Sequence, residues 1–136
     1  MKAVKVIVIV FLVYAAIVAA FEARLGYAQP TSENTLVITT HDASGAANER
    51  VVVRLDSGGK LYVAANHWPR RWYNDVLAHP DVLVTADGNT QAYVAVPVTG
   101  DEFDRVTAEH RLGIVLRILT GFPPRRLVRL DPVQGQ

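Results

Sequence analysis

The chain of 136 residues contains no cysteine, and this absence removes several kinds of chemistry. Without a thiol there is no disulfide bond, no thiolate nucleophile and no cysteine-ligated metal. An excess of charge of one sign is also absent, since 14 basic side chains face 13 acidic ones. A balanced chain lacks the attraction to phosphate that nucleic-acid-binding domains exert, and no nucleic-acid-binding motif occurs. The sequence therefore argues against cysteine chemistry and against binding to DNA or RNA.

Metal-binding and serine-nucleophile motifs are missing as well. The four histidines form neither H-x-x-H nor H-E-x-x-H; they are His41, His67, His79 and His110. No serine lies in a G-x-S-x-G elbow, the turn that exposes the nucleophile of many hydrolases. We therefore expect neither a metal site nor a serine hydrolase.

A long apolar run stands near the start of the chain. Residues 6–21 carry no charge, with Lys2 and Lys5 before them and Glu22 and Arg24 after them. Together with the two preceding apolar residues they make about five helical turns, enough to cross a hydrocarbon layer of about 30 Å. The run predicts a single-pass membrane anchor.

The competing interpretation of this run is a cleaved signal peptide. Small residues at Gly26 and Ala28 would suit a signal peptidase. We favour the uncleaved anchor because the run is long for a signal segment and Glu22 and Arg24 precede the possible cleavage site. The basic residues at the start place the N-terminus in the cytoplasm by the positive-inside rule, and the folded domain on the other side of the membrane.

Short runs rich in β-branched residues follow, separated by turn residues. Gly58-Gly59 and Asp87-Gly88 are typical of hairpin turns. With no βαβ alternation, the pattern predicts an α+β, mainly β fold, an antiparallel barrel of about six strands with two helices. The expected strands are residues 35–40, 50–56, 60–66, 81–85, 90–98 and 126–131. The expected organisation is an anchor at 1–28, a linker at 29–34, one barrel domain at 35–132 and a tail at 133–136.

Two helices are expected between these strands. The first is short and runs from about Arg70 to Ala78. The second begins at Thr99, where Thr99 and Glu102 have the spacing of a capping box. Its apolar residues continue to Leu119, so we expect one helix that ends before Gly121.

The segment between the third strand and the first of these helices has an unusual composition. Two tryptophans, a tyrosine and two arginines occur within six residues, at Trp68, Arg70, Arg71, Trp72 and Tyr73. Aromatic rings offer stacking surfaces and arginine offers paired donors to phosphate or carboxylate. The segment therefore predicts a site for a flat, conjugated, anionic ligand.

The same segment resembles a known family. Trp72-Tyr73, followed by Ala78, Pro80 and Val82, is similar to the W-Y-x-N-L-x-A-N-P-x-V signature of the deazaflavin-dependent nitroreductases, a branch of the flavin/deazaflavin oxidoreductases with the pyridoxamine-phosphate-oxidase-like split barrel. The flanking features agree in order; they are Thr39, Thr40, Ser44 and Gly45 upstream and residues 128–132 downstream. The resemblance covers residues 35–132.

This resemblance implies an oxidoreductase that passes a hydride from a reduced deazaflavin, or less favourably FMN, to a quinone-like or nitroaromatic acceptor. It implies a homodimer as one possible assembly and leaves the catalytic residue unknown, with Tyr73 or His67 as proton donors. The cofactor-binding residues that we predict, from this resemblance and from the basic residues beside the aromatic ones, are Ser44, Gly45, Arg50, Ala65, Asn66, His67, Arg70, Arg71, Trp72 and Asp75. The alternative function is a barrel without a coenzyme that binds a lipid, a haem-like molecule or another apolar ligand.

Two departures from the family pattern bear on this site. Asp75 stands where the signature has asparagine, and it would put a negative charge near a ring that becomes more anionic on reduction. His41-Asp42-Ala43 replaces the Gly-Arg-Lys that holds the cofactor phosphate in the family. We expect Arg70 and Arg71 to provide the missing positive charge from the opposite loop.

Overall fold

The computed structural model describes residues 1–28, 34–65, 71–119, 121 and 124–133. The chain divides into two compact units, one made of Met1–Gln29 with Leu112–Pro123 and the other of Pro30–Arg111 with Pro124–Gln136. The second unit contains the barrel. Residues 112–123, which the sequence assigns to the barrel domain, are grouped with the N-terminal helix instead.

The barrel unit is a closed, six-stranded antiparallel barrel with the strand order β1-β2-β3-β6-β5-β4. Its strands are β1 (Thr35–His41), β2 (Ala47–Ser57), β3 (Lys60–Ala65), β4 (Asp81–Ala86), β5 (Asn89–Pro97) and β6 (Arg126–Pro132). The predicted mainly β barrel of six antiparallel strands is confirmed. Closure pairs every strand on both edges, so no edge is left open to another chain.

Alternation along the strands separates the inside of the barrel from its wall. On β3, Val63 and Ala65 belong to the interior core, whereas Tyr62 and Ala64 lie under a helix on the outer surface. This is the period of two that strand geometry imposes. The interior core also holds Leu36, Ile38, Val52, Trp72, Val76, Val82, Val84, Ala95, Val128 and Leu130.

Both predicted tight hairpins are present. Gly58 and Gly59 join β2 to β3 with φ of 57° and 76°, and Asp87 and Gly88 join β4 to β5 with φ of 51° and 77°. Positive φ at both central residues is the conformation of the turn whose twist matches that of paired strands. Glycine adopts it at little cost, which is why the sequence located these turns correctly.

Helix α1 (Lys2–Ala28) and helix α2 (Arg71–Ala78) have different surroundings. The first belongs to the other unit. The second connects β3 to β4, and its Trp72 and Val76 are buried in the interior core of the barrel. The predicted helix over residues 70–78 is thus found from Arg71, and Arg70 lies outside the described residues.

Helix α3 (Gly100–Glu109) covers part of the outer wall of the barrel. Its Val106 is fully buried against an outer cluster that includes Leu55, Tyr62, Ala64, Val98 and Leu127. The predicted capping box is wrong. Thr99 is the residue before the helix, but its side chain makes no capping hydrogen bond. The carboxylate of Glu102 binds Tyr62 and Arg129 of the barrel instead.

The single helix expected from residue 99 to Leu119 is also wrong, because the structure divides it into α3 and α4 (Ile114–Leu119). His110 leaves the helical conformation, with φ of −127° and ψ of 60°. Its carbonyl accepts a hydrogen bond of 2.6 Å from Arg125 Nη1. In a continuous helix this carbonyl would accept from the N–H four residues later, and Arg125 takes the place of that donor. Gly113 has low helix propensity and also favours the break.

In the other unit, α1 is apolar on every side. Its segment Lys2–Arg24 is the one helix of the described residues that is long and apolar enough to cross a membrane, and none of its most apolar window is buried. An N-terminal signal sequence would have the same properties. The hydroxyl of Tyr14 donates a hydrogen bond of 2.7 Å to the carbonyl of Ile118, which joins α4 to α1.

Candidate functional site

One end of the barrel collects the described residues of the predicted site. In an antiparallel barrel, the ends of β1, β3 and β5 lie where β2, β4 and β6 begin. The turn at residues 42–46, the last residue of β3, Ala65, and helix α2 therefore meet at this end. A contact between the turn and the helix, from Asp42 to Arg71, confirms their proximity.

Asp42 organises the turn between β1 and β2. Its Oδ1 accepts hydrogen bonds from the backbone N–H groups of Ser44, at 2.9 Å, and Ala46, at 3.0 Å, and from the Ser44 hydroxyl. Gly45 has φ of 82°, a conformation that glycine adopts at little cost, and this lets the chain reverse here. The predicted site residues Ser44 and Gly45 thus shape a turn that is built around a carboxylate.

These contacts keep the Asp42 carboxylate ionised. The Ser44 hydroxyl is the main cause that lowers the pKa of Asp42, and the N–H groups of Ala46 and Ser44 and the charge of Arg71 act in the same direction. Burial opposes them by raising the pKa. At neutral pH the turn therefore carries a fixed negative charge.

Arg71, the first residue of α2, already faces two carboxylates. Its Nη2 lies 2.8 Å from Asp42 Oδ2, and its Nε lies 3.9 Å from Asp75 Oδ2. Most of the Arg71 side chain is exposed, whereas the Asp75 side chain is largely buried. Asp75 Oδ2 is buried and accepts no hydrogen bond from any described residue. The guanidinium that we expected to bind an external anion is thus balanced by the protein itself.

Trp72 and Tyr73 lie at different depths. Trp72 is only 5% exposed and packs in the interior core, together with Ala65. Tyr73 packs against the same core but is half-buried, and its ring stands edge-on to the indole with centroids 6.0 Å apart. Trp72 thus has a structural role, and its contact with a ligand stays a prediction.

Arg50 approaches the same end from inside the barrel. It is paired with Ile38 across β1 and β2, and paired residues direct their side chains to the same face of a sheet. Since Ile38 is a fully buried residue of the interior core, Arg50 faces inward as well, where it is half-buried. Two residues nearer the turn, on the same face of β1, Thr40 is fully buried. A cation and a hydroxyl are therefore directed into this end of the barrel.

Three predicted site residues, Asn66, His67 and Arg70, lie outside the described residues. Within the part of the chain that is described, no three histidine, aspartate or glutamate side chains are placed to hold a metal ion.

The sequence interpretation missed the role of Asp42 and a second polar cluster on the barrel wall. The D-x-S-G pattern at residues 42–45 is typical of a turn in which aspartate accepts hydrogen bonds from residues that follow it, so a signal was present. The second cluster joins Tyr62, Glu102, Arg105 and Arg129. Nothing local in the sequence connects these four residues.

A flavin-like cofactor has a planar ring and a phosphate, and the residues at this end suit the ring better than the phosphate. For a planar ring, this end of the barrel offers the aromatic side chain of Tyr73 and the inward-facing Arg50, while the buried hydroxyl of Thr40 donates to the carbonyl of Asn48 at 3.5 Å. A phosphate at the turn would meet donors that Asp42 already occupies. The site suits the ring system and not a phosphate bound at residues 42–46.

Comparison with solved structures identifies the fold. A structure described as an F420-H2 dependent reductase (FDR-A) aligns with a TM-score of 0.59 and 18% identity, over 72% of this chain and 94% of that one. The heme storage protein HutZ from Vibrio cholerae aligns with a TM-score of 0.59 and 23% identity, over 76% of this chain and 84% of its own. A putative pyridoxamine 5'-phosphate oxidase from Listeria innocua aligns with a TM-score of 0.53 and 14% identity, over 90% and 94% of the two chains. At these identities the likeness establishes the split-barrel fold.

Comparison at the level of sequence families identifies the relationship. No curated protein matches the chain. Residues 12–115, which are well over half of the chain, match the family described as F420H(2)-dependent quinone reductase. The match contains the turn at residues 42–46, the end of β3 and α2, the three elements that meet at one end of the barrel. This chain therefore belongs to the F420H2-dependent quinone reductase family, which depends on the deazaflavin cofactor F420.

Proposed function

We propose that this protein is a membrane-tethered reductase that transfers a hydride from reduced F420 to a quinone-like or nitroaromatic acceptor. The observation that carries this proposal is the family match over residues 12–115. The meeting of the predicted site residues Ser44, Gly45, Ala65 and Arg71 at one end of the barrel supports it.

The chain's own residues would position the cofactor and exclude water. Residues at the barrel end beside α2, next to the core that includes Ala65 and Trp72, would hold the ring. Arg50 would direct a positive charge towards the ring and stabilise negative charge that develops on it. The half-buried Tyr73 is the described residue that we propose as proton donor to the acceptor. When bound, F420 in its reduced form supplies the hydride.

The membrane part of the proposal is supported by the first unit. Most apolar side chains of α1 between residues 3 and 20 are exposed, for example Phe11 at 66% and Leu12 at 59%. Helix α4, which is joined to α1 through Tyr14, exposes Ile114 and Val115. Water is a poor solvent for two such surfaces, whereas a bilayer would bury both. Lys2 and Lys5 support an N-terminus in the cytoplasm.

The alternative function is a barrel that binds a lipid or haem-like ligand without catalysis. It is the second candidate because the fold is similar to that of a protein described as a heme storage protein. The acidic pair Asp42 and Asp75 beside Arg71 also departs from what a phosphate-bearing cofactor requires.

The homodimer expected from the resemblance is also part of the proposal. The molecular mass of the detergent-solubilised chain, measured by light scattering, tests it.

The experiment uses the full chain in detergent or nanodiscs. Binding is measured by changes in visible absorbance and in tryptophan fluorescence on titration with F420, FMN and hemin. Reduced F420 is then mixed with the protein and a naphthoquinone, a benzoquinone or a nitroaromatic compound, and its reoxidation is followed by absorbance. We expect saturable binding of F420 and reoxidation that depends on both protein and acceptor.

Each other outcome contradicts part of the proposal. Binding of hemin without F420 would favour the alternative function. Binding of F420 without reoxidation by any acceptor class would reject the reductase and leave a cofactor-binding protein. The variant Arg50→Gln removes the inward-facing positive charge. It should bind F420 more weakly than the parent and have the same circular dichroism spectrum, which shows an intact fold.

A further inference from the structure

The turn at residues 42–46 has the donor set of an oxyanion site. Backbone N–H groups of Ser44 and Ala46, the Ser44 hydroxyl and the Arg71 guanidinium all donate to one carboxylate group. Proteins hold phosphate and carboxylate ligands with such combinations of backbone amides, hydroxyls and arginine. In this chain the group that they hold is the carboxylate of Asp42.

Both oxygens of this carboxylate are occupied. Oδ1 accepts the three hydrogen bonds from Ser44 and Ala46, and Oδ2 accepts the one from Arg71. An external anion could use these donors only after displacing Asp42 from them. The displaced carboxylate would then remain near the new anion with the loss of all its partners.

The charge at this corner also opposes an anion. Asp42 and Asp75 are both ion-paired with Arg71, so two negative side chains face one positive side chain. These three residues together carry one net negative charge. A phosphate group bound to Arg71 would add negative charge beside two carboxylates that already share this guanidinium.

We propose that Asp42 determines ligand specificity by acting as an internal anion, so that the protein holds its cofactor through the ring system and not through a phosphate at this turn. The inference rests on the proposed function for the identity of the cofactor. The occupation of the anion site by Asp42 is a property of the chain itself and can be tested without the cofactor. Removal of the carboxylate should open the site to phosphate.

The first measurement uses inorganic phosphate alone. The full chain, labelled with 15N, is titrated with phosphate in its parent form and as Asp42→Ala, and the backbone amide signals of Ser44 and Ala46 are followed. We expect saturable shifts in Asp42→Ala and none in the parent. The double variant Asp42→Ala/Arg71→Gln should lose the shifts again, because the guanidinium supplies the charge-assisted contact.

The second measurement compares F420 with its phosphate-free deazaflavin chromophore. In the parent the two compounds should bind with similar affinity. In Asp42→Ala the phosphate-bearing F420 should gain about tenfold over the chromophore, the value of one charge-assisted hydrogen bond, and added salt should reduce the gain. A second variant, Asp42→Asn, removes the charge but preserves the turn, since the amide oxygen still accepts hydrogen bonds from Ser44 and Ala46. It replaces Asp42→Ala in the measurement if that variant does not fold. Asp104→Asn, an exposed change of the same charge on α3, should change neither affinity.

The outcomes separate the inference from the proposed function. A parent that binds F420 at least tenfold more tightly than the chromophore, with no gain on removing Asp42, would overturn the inference. Absence of amide shifts in folded Asp42→Ala would overturn it as well. If neither deazaflavin binds any variant but phosphate shifts the amides in Asp42→Ala, the proposed function fails and the role of Asp42 as an internal anion is supported.

Discussion

The phenol of Tyr62 on β3 donates a hydrogen bond of 2.8 Å to the carboxylate of Glu102 on α3, although 40 residues separate them in the chain. Arg129 of β6 donates to both oxygens of the same carboxylate, at 2.9 and 3.1 Å. The hydrogen bond from Tyr62 is the main cause that lowers the pKa of Glu102, and Arg129 acts in the same direction. Burial is the main cause that raises the pKa of Tyr62. This network attaches α3 to the wall of the barrel.

The first prediction concerns the acid stability of this network. Because the pKa of Glu102 in the fold lies below its ordinary value of 4.5, the ionised carboxylate stabilises the fold above that pH. The contribution is lost as the pH falls through the lowered pKa. The free energy of unfolding of the parent should therefore fall more steeply between pH 5 and about pH 3 than that of Glu102→Gln, as measured by urea denaturation. The control is Glu109→Gln on the exposed end of α3, which should follow the parent.

The second prediction concerns the backbone of the candidate site. Gly45→Ala should destabilise the fold by about 1 kcal/mol, because alanine at a φ of 82° is strained. Gly113→Ala is the matched control, since Gly113 does not have positive φ and has open space at its Cβ position. It should be neutral or stabilising by a few tenths of a kcal/mol. Equal denaturant midpoints for the two variants would contradict the conformation of the turn.

The third prediction concerns Trp72, which is buried in the core and is also a predicted cofactor-binding residue. Trp72→Ala should cost roughly 3–5 kcal/mol in unfolding free energy, the usual loss for a buried aromatic side chain. If Trp72 also contacts the cofactor, F420 affinity should fall by more than the unfolded fraction explains. Denaturant midpoint and F420 titration are measured on the same Trp72→Phe and Trp72→Ala preparations. A folded Trp72→Ala protein with the parent's affinity would remove Trp72 from the site.

The fourth prediction concerns the N-terminal helix. Leu12→Arg places a charge in the middle of the apolar segment and should cost about 2.5–3.5 kcal/mol of insertion free energy. Carbonate extraction should then release more of this variant than of the parent from membranes. Leu83→Arg, at an exposed position of β4, is the control and should remain bound.

Two further measurements test the processing and orientation of that helix. The intact mass of the membrane-extracted parent should include the N-terminal segment, and a mature N-terminus at Gln29 would instead identify a cleaved signal peptide. A reporter that is active only outside the cytoplasm, fused after Gln136, should be active. Its inactivity would reverse the orientation.

Local patterns determined the barrel and its hairpins. Successive side chains of a strand point to opposite faces, and the β-branched runs of β1, β2 and β3 predicted the boundaries of these strands to within a few residues. The hairpin turns require positive φ at Gly58 and Gly88, and glycine adopts this conformation without contacts from other parts of the chain. The long apolar helix α1 could likewise be predicted from its own residues, because its length and composition do not depend on contacts with other segments.

Only the tertiary structure decided which polar groups meet. The helix expected to continue to Leu119 ends at Glu109, and Arg125, which follows in the chain, binds the carbonyl of His110 just beyond that end. Glu102 had the spacing of a capping residue, but the barrel wall offered it Tyr62 and Arg129. Arg71 was expected to bind an external anion, and folding brings it to Asp42 of the opposite turn. Sequence periodicity determines the faces that strands and helices bury, whereas the partner of a charged side chain depends on which distant segments the closed barrel brings within hydrogen-bonding distance.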